Sequence, residues 1–255
     1  MLFSYLLLVP IAFAAGIISS IAGGGAFLTF PALMFMGLDP RAANITSTIA
    51  MYPMQVSTGF TGRKTATGTA HLSFNALLII SLVGGIIGAL MLIMTSPRSF
   101  AQLVPWLLLF ATGLFAWGSL RKKPSLVETH IPKPDRLGRA GAAITQFVIS
   151  VYGGYFGGGI GLLMLAALTY AGMNIRQAAT TKNILAAVMN TSAVGVFLLT
   201  ADIHWLKAAI VAVSSTAGGL VGVQMIHKVN ERYLCWAVVA IGTIMSAFLF
   251  LRAPH

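Results

Sequence analysis

The sequence predicts an all-α integral membrane protein built from two homologous halves, and three observations carry that reading. Of 255 residues, 57% are hydrophobic and only 8% are charged, where a soluble domain holds roughly 25% charged residues. The apolar residues fall in about eight blocks, each long enough to cross a hydrocarbon core of roughly 30 Å as a helix. The second half of the chain also repeats the first at a spacing of 135 residues.

The blocks run approximately over 2–36, 42–60, 71–94, 100–119, 141–170, 177–200, 204–226 and 233–251. Helix is the expected conformation of each, since outside a closed barrel only a helix satisfies its own backbone polar groups in lipid. The first block carries no Lys or Arg before Arg41; without a basic n-region it reads as a retained membrane segment, not a cleaved signal. It contains the cluster AGGGA, with Gly23, Gly24 and Gly25, and the fifth block contains GGYFGGGIG, with Gly158, Gly159 and Gly161. Each glycine costs a helix roughly 1 kcal/mol relative to Ala, so both blocks are expected to break or turn there. The glycines of GGIIGA (Gly84, Gly85, Gly88) and GGLVG (Gly218, Gly219, Gly222) sit inside uninterrupted apolar blocks and read as close helix packing.

Between the halves lies RKKPSLVETHIPKPDRLGR, Arg121–Arg139, with three prolines and six basic residues. It reads as a cytoplasm-facing linker. The chain thus divides into a first membrane repeat (1–120), a linker (121–140) and a second membrane repeat (141–255). The net charge of +11 follows the positive-inside pattern and does not point to nucleic acid, because the basic residues sit in short connections.

Shifted by 135, residues 158–181 overlie 23–46 without a gap, and nine of 24 positions coincide: Gly23/Gly158, Gly24/Gly159, Leu28/Leu163, Ala32/Ala167, Leu33/Leu168, Gly37/Gly172, Arg41/Arg176, Ala43/Ala178 and Thr46/Thr181. Composition alone would match about two or three. Duplicated halves are common among secondary transporters, whose substrate site lies near the midplane between the repeats. If each glycine-broken block spans, the repeats are parallel; if it folds back as a re-entrant hairpin, they are inverted. Basic residues divide 10 against 6 in the first case and 12 against 4 in the second, which favours inversion.

The chemistry-bearing residues gather at the start of the second block of each half. Arg41, Asn44, Thr46, Ser47, Thr48 and Gln55 stand in the first, and Arg176, Thr180, Thr181, Lys182, Asn183 and Asn190 in the second. Polar side chains in a membrane helix are expected to face the bundle interior. Arginine offers a planar fork for oxyanions, and hydroxyls and amides offer neutral donors. Lys182 is the sharpest candidate for an anion contact, against the alternative that its stem snorkels to the interface. Arg41 and Arg176 read equally as anchors of their helix ends, and single hydroxyls as interhelical glue. A half-helix starting at each glycine break would aim its positive dipole end at the same place.

The five acidic residues, Asp39, Glu128, Asp135, Asp202 and Glu231, all fall in connections or near block ends. A cation or proton path usually rests on carboxylates or histidines inside the membrane, so a cation-coupled permease for a neutral solute is disfavoured. The single cysteine, Cys235, excludes an intrachain disulfide and a multi-cysteine metal site. No phosphate-binding loop, nucleophile elbow or zinc-hydrolase spacing is present. No enzyme, metal or cofactor is expected.

The segment GGGAFLTFPALMFMG followed by RAANITST, and its second copy GGYFGGGIGLLMLAALTYAG followed by RQAATTKN, resemble the sulfite exporter TauE/SafE family of membrane permeases over nearly the whole chain. Ala26 stands where a further glycine is common, and Ala166 opposite Pro31, so the two half-sites are not strictly equivalent. The resemblance implies transport of a sulfur-containing oxyanion such as sulfite or an organosulfonate. With the charge logic, it gives the expected function: alternating-access transport of a small anion at a midplane site formed by Gly23, Gly24, Gly25, Arg41, Thr46, Ser47, Thr48, Gln55, Gly158, Gly159, Gly161, Arg176, Thr181, Lys182, Asn183 and Asn190. The expected setting is multi-pass in the inner (plasma) membrane, with lipid and the small anion as partners, no nucleic acid, and homo-oligomerisation open. The alternative is a non-transporting assembly or sensor module whose glycines serve packing alone.

Overall fold

The structure, a computed structural model, describes residues 2–22, 24–62, 66–120, 138–173, 175–225 and 231–252. All regular structure among them is helical: α1 (Leu2–Ala22), α2 (Ala26–Phe35), α3 (Pro40–Gly62), α4 (Phe74–Met94), α5 (Pro97–Leu120), α6 (Gly138–Tyr155), α7 (Ile160–Tyr170), α8 (Ile175–Thr200), α9 (Trp205–Met225) and α10 (Glu231–Arg252). The first apolar block is therefore two helices, and so is the fifth. Among the described residues, three stretches are long and apolar enough to cross a membrane: Phe74–Met94, Gln177–Thr200 and Trp205–Gly222. Large apolar side chains such as Ile79, Val83, Trp106, Phe110, Leu199 and Val213 lie exposed on the bundle's exterior, the arrangement a lipid solvent requires and water penalises.

Local sequence accounts for the helix ends. Asp39 Oδ1 accepts from the amides of Arg41 (3.0 Å) and Ala42 (3.1 Å) at the start of α3, and Pro40 occupies the first helical position, where its missing N–H costs nothing. Ser73 caps α4 by accepting from Ala76 N–H. The matched glycines end the two short helices in the same way. Gly37 (φ 86) and Gly172 (φ 89) are left-handed. Leu38 N–H bonds Leu33 O while Gly37 N–H bonds Met34 O, and Met173 N–H bonds Leu168 O while Gly172 N–H bonds Thr169 O. This paired C-terminal motif calls for a residue without a Cβ.

Packing follows the glycines. α1 lies along α9 and α4 along α6 in the two most extensive helix contacts. A Cβ on Gly88 would sit 2.1 Å from Val151 O, and one on Gly218 2.0 Å from Phe13 O, so the backbones touch directly. In both pairs the helices run in the same direction, since Gly84 meets Ser150 and Gly88 meets Tyr155, while Gly16 meets Ser215 and Gly222 meets Ile17. α3 and α8 cross in opposite directions: Tyr52 hydroxyl bonds Thr191 Oγ1 (2.9 Å), and Gly59 faces Asn183. α3 also packs on α9, α8 on α4, and α5 on α10.

The bundle has a linker end, where α3 and α5 finish and α6 begins, and a far end at Asp39, Thr95 and Ala201–His204. α1 runs inward from the far end and α2 returns to it: Phe35 packs on Phe248, and Lys207 Nζ donates to Met36 O at 3.1 Å. α6 runs inward from the linker end and α7 returns there, bringing Ala167 and Ala171 against Thr69, Leu77 and Ala142. The turns between them, at the two glycine clusters, meet α3 and α8 deep inside the bundle.

Candidate functional site

Where α3 crosses α8 beside the two turns there is a cavity with about 740 Å3 of empty space, some of it open to solvent. The centre of a water-sized molecule can reach about 70 Å3 of it, several times the roughly 10–15 Å3 one water needs. α3 contributes Asn44, Ser47, Thr48, Met51, Met54 and Gln55; α8 contributes Lys182, Asn183, Ala186 and Asn190; Ser19 of α1, Ala26 of α2, Phe156 and Gly157 of the α6–α7 turn, and Ile160 and Gly161 of α7 complete the lining.

Periodicity explains why these side chains meet. On α3 the positions 47, 48, 51 and 55, and on α8 the positions 182, 183, 186 and 190, share one helical face. The two sets are 135 residues apart, member by member, as are Ala26 and Gly161. The matched amides of Gln55 and Asn190 meet across the cavity, Asn190 Nδ2 donating to Gln55 Oε1.

Among the described residues, Lys182 is the only charged one on the cavity wall. It is half-buried, and no carboxylate stands among the described lining residues to neutralise it. Hydroxyls and amides surround the same space. Ser47 Oγ shares a hydrogen with Thr29 Oγ1 at 2.6 Å. Thr48 Oγ1 donates to Asn44 O at 2.9 Å. Asn44 Nδ2 donates to Tyr155 O at 3.0 Å and so ties α3 to the end of α6. Asn190 is nearly fully buried, and its Oδ1 has no hydrogen-bond partner among the described residues. Ala26 opens α2, and Ile160 with Gly161 opens α7, so the positive dipole ends of two helices border the space, although the amides of Phe27 and Leu28 in α2 are bonded to Gly24 O and Gly25 O. A half-buried ammonium, neutral donors and two positive helix ends together can bind and desolvate an anion. Among the described residues there is no group of His, Cys, Asp or Glu able to hold a metal ion.

Of the residues singled out from sequence, Ser47, Thr48, Gln55, Gly161, Lys182, Asn183 and Asn190 line the cavity. Gly24 and Gly25 form the α1–α2 turn beside it, where Gly25 O accepts from Leu28 and Thr29 amides; Gly23 lies outside the described residues. Gly158 and Gly159 belong to the α6–α7 turn: Gly158 O accepts from Tyr152 hydroxyl at 3.0 Å, and Gly159 is left-handed. Arg41 points away to the far end, donating to Thr95 O at 2.8 Å, as an anchor does. The side chain of Arg176 lies outside the described residues. Thr46 and Thr181 are fully buried off the lining face, because the lining positions share one arc of each helix and 46 and 181, about 100° before 47 and 182, fall outside it. Sequence reasoning passed over Ser19, Met54, Phe156 and Ile160: an apolar wall in an apolar helix carries no signal of its own, and Ser19 lies in α1, outside the polar clusters of α3 and α8.

Residues 8–249 match the profile of the family described as Sulfite exporter TauE/SafE. Similar curated proteins include a "Probable membrane transporter protein" of Haemophilus influenzae, 28% identical over 93% of this chain and 91% of the relative. Another is the "Probable membrane transporter protein YfcA" of Escherichia coli, 26% identical over 94% and 87%. A third is the "Probable membrane transporter protein ORF9" of a Sinorhizobium species, 28% identical over 96% and 91%. No solved structure matches the chain. With nearly its whole length inside the profile, this chain belongs to the sulfite exporter TauE/SafE family of membrane transporters.

Proposed function

We propose that the chain carries a small sulfur-containing oxyanion, sulfite or an organosulfonate, across the inner membrane by alternating access, binding it in the cavity between α3 and α8. The observation that carries this reading is Lys182: a half-buried cation in a cavity lined by hydroxyls and amides, with no carboxylate among its described lining residues. An ammonium so placed is stabilised by an anionic ligand, and the neutral donors of Ser47, Asn183 and Asn190 can satisfy the remaining oxygens. A cavity serving only as a packing defect would more readily be closed by apolar side chains than furnished with a lysine and amides. The sulfur chemistry is supported by the family's name alone.

The reading extends to two inverted repeats, α1–α5 and α6–α10, related by a two-fold axis through the cavity. Exchanging the halves converts the α1–α9 contact into α6–α4 and the α3–α9 contact into α8–α4, while α3–α8 and α5–α10 map onto themselves. Corresponding helices run in opposite directions, α1 from the far end and α6 from the linker end, which favours inversion over parallel repeats. The α1–α2 and α6–α7 pairs are then the re-entrant hairpins, the cavity lies at the midplane, and the linker end faces the cytoplasm.

Reconstitution tests the proposal. Proteoliposomes loaded with labelled sulfite or a short sulfonate should exchange it against external unlabelled anion, and Lys182→Gln should slow that exchange at least tenfold. Equal flux in protein-free and wild-type vesicles, with the protein shown to be folded, would sink it.

A further inference from the structure

Two loops that hold equivalent places in the halves differ in one hydrogen-bonded contact, and we propose that this contact is a latch that passes from one end of the bundle to the other as access alternates. At the linker end the latch is engaged. Thr181 Oγ1, on α8, accepts from Thr67 N–H at 3.1 Å and donates to Thr67 O at 3.2 Å, so one buried hydroxyl serves both backbone groups of a residue in the α3–α4 loop.

The position 135 residues earlier carries the same side chain. Thr46, on α3, is as fully buried as Thr181, yet its Oγ1 has no hydrogen-bond partner among the described residues. The loop that would serve it by exchange of halves joins α8 to α9 at the far end. Ala201 and Ile203 of that loop pack on the same apolar cluster to which Ala43 and Ile45, the neighbours of Thr46, belong. The loop's backbone is engaged elsewhere, Ala201 N–H on Phe197 O at 2.9 Å and Trp205 N–H on Ile203 O at 3.0 Å.

A buried hydroxyl almost always has a partner, and one left without calls for an explanation. A second state that supplies the partner is such an explanation, and inverted halves supply it without any new structure: each half adopts the conformation the other holds here. The halves do differ in conformation. Residues 70–73 lie outside helix, whereas their counterparts 135 residues later, 205–208, already belong to α9. In the exchanged state Thr46 binds the backbone of the 201–204 loop and Thr181 is the orphan. The two states keep the same number of buried bonds, which holds their energies close enough to interconvert.

This latch rests on the inverted-repeat, alternating-access reading above, but its test uses no substrate. Failure of anion binding and failure of the latch are therefore separate results. Amide hydrogen exchange is measured on purified wild-type protein, Thr181→Val, Thr46→Ser and the Thr46→Val/Thr181→Val pair. Thr181→Val should exchange at least tenfold faster over 66–73 and at least threefold slower over 200–204, as the far-end latch closes. The double variant should keep the first change and lose the second, while Thr46→Ser, which retains the hydroxyl, behaves as wild type. Faster exchange over 66–73 with 200–204 unchanged would make Thr181 a local anchor and overturn the proposal. Should Thr181→Val not fold, a Thr46→Cys/Ala201→Cys pair in a Cys235→Ala background reads the same movement. It should form a disulfide under mild oxidation, and its failure to do so would equally overturn the latch.

Discussion

Replacing Lys182 by Gln removes one charge from the cavity while keeping a hydrogen-bonding side chain of similar reach. Two unit charges 4 Å apart attract by about 4 kcal/mol at an effective dielectric of about 20. Part of that is offset by desolvating both ions, and charge-assisted hydrogen bonds retain a net of roughly 1.5–3 kcal/mol. Because Lys182 is half-buried and no carboxylate among the described lining residues competes for it, the full range applies, and each 1.4 kcal/mol is a factor of ten in affinity. Lys182→Gln should weaken anion binding by about 10- to 150-fold, measured by isothermal titration on detergent-purified protein. Lys182→Arg, which keeps the charge but projects a wider fork, should fall between the two. A dissociation constant for folded Lys182→Gln within twofold of wild type would remove the lysine from the site.

Five other substitutions separate binding from architecture. Gly88→Ala and Gly218→Ala drive a methyl into Val151 O and Phe13 O and should each cost roughly 1–3 kcal/mol. By contrast, Gly113→Ala meets nothing within 4 Å and should be neutral or stabilising by up to about 1 kcal/mol; melting temperatures of the three variants check the contrast. Gln55→Ala strands Asn190, whose Nδ2 bonds Gln55 and whose Oδ1 is already unpaired. It should lose about 1–3 kcal/mol of stability in chemical denaturation. Arg41→Gln gives up the bond to Thr95 O and should lower stability by about 1 kcal/mol while leaving anion affinity within twofold of wild type. A tenfold affinity loss would bring Arg41 into the site by a route the resting geometry does not contain.

Much of this arrangement was legible in the sequence, for identifiable reasons. Glycine clusters in apolar blocks announce a backbone that stops being helical, and both clusters are turns between helices. Polar residues in apolar helices announce a face turned from lipid. Ser47, Thr48 and Gln55, and Lys182, Asn183 and Asn190, therefore stand out and share the cavity. What sequence cannot separate is neighbouring polar residues on one helix. Thr46 and Ser47 read alike, yet one turns into packing against the bundle and the other into the cavity, a choice made by helix rotation against α8 and the turns. Arg41 and Lys182 read alike too. Arg41 is the second residue of α3, whereas Lys182 is the eighth of α8, which puts Arg41 within reach of the carbonyl of Thr95, and it takes that partner. The apolar cavity wall of Met54, Phe156 and Ile160 stays hidden because lipid-facing, core-facing and cavity-facing apolar residues share one alphabet.

The central claim is that this cavity binds a sulfur oxyanion, and thermal stabilisation of the purified protein tests it most directly. Sulfite, short sulfonates and sulfate would be titrated beside carboxylates, chloride and cation controls at constant ionic strength. A ligand that binds the native state alone raises stability with the logarithm of its concentration. The account predicts that sulfur oxyanions raise the melting temperature of wild type selectively, and that Lys182→Gln loses most of the rise. A folded wild-type protein whose melting temperature is unmoved by every anion, or moved equally in Lys182→Gln, would contradict it.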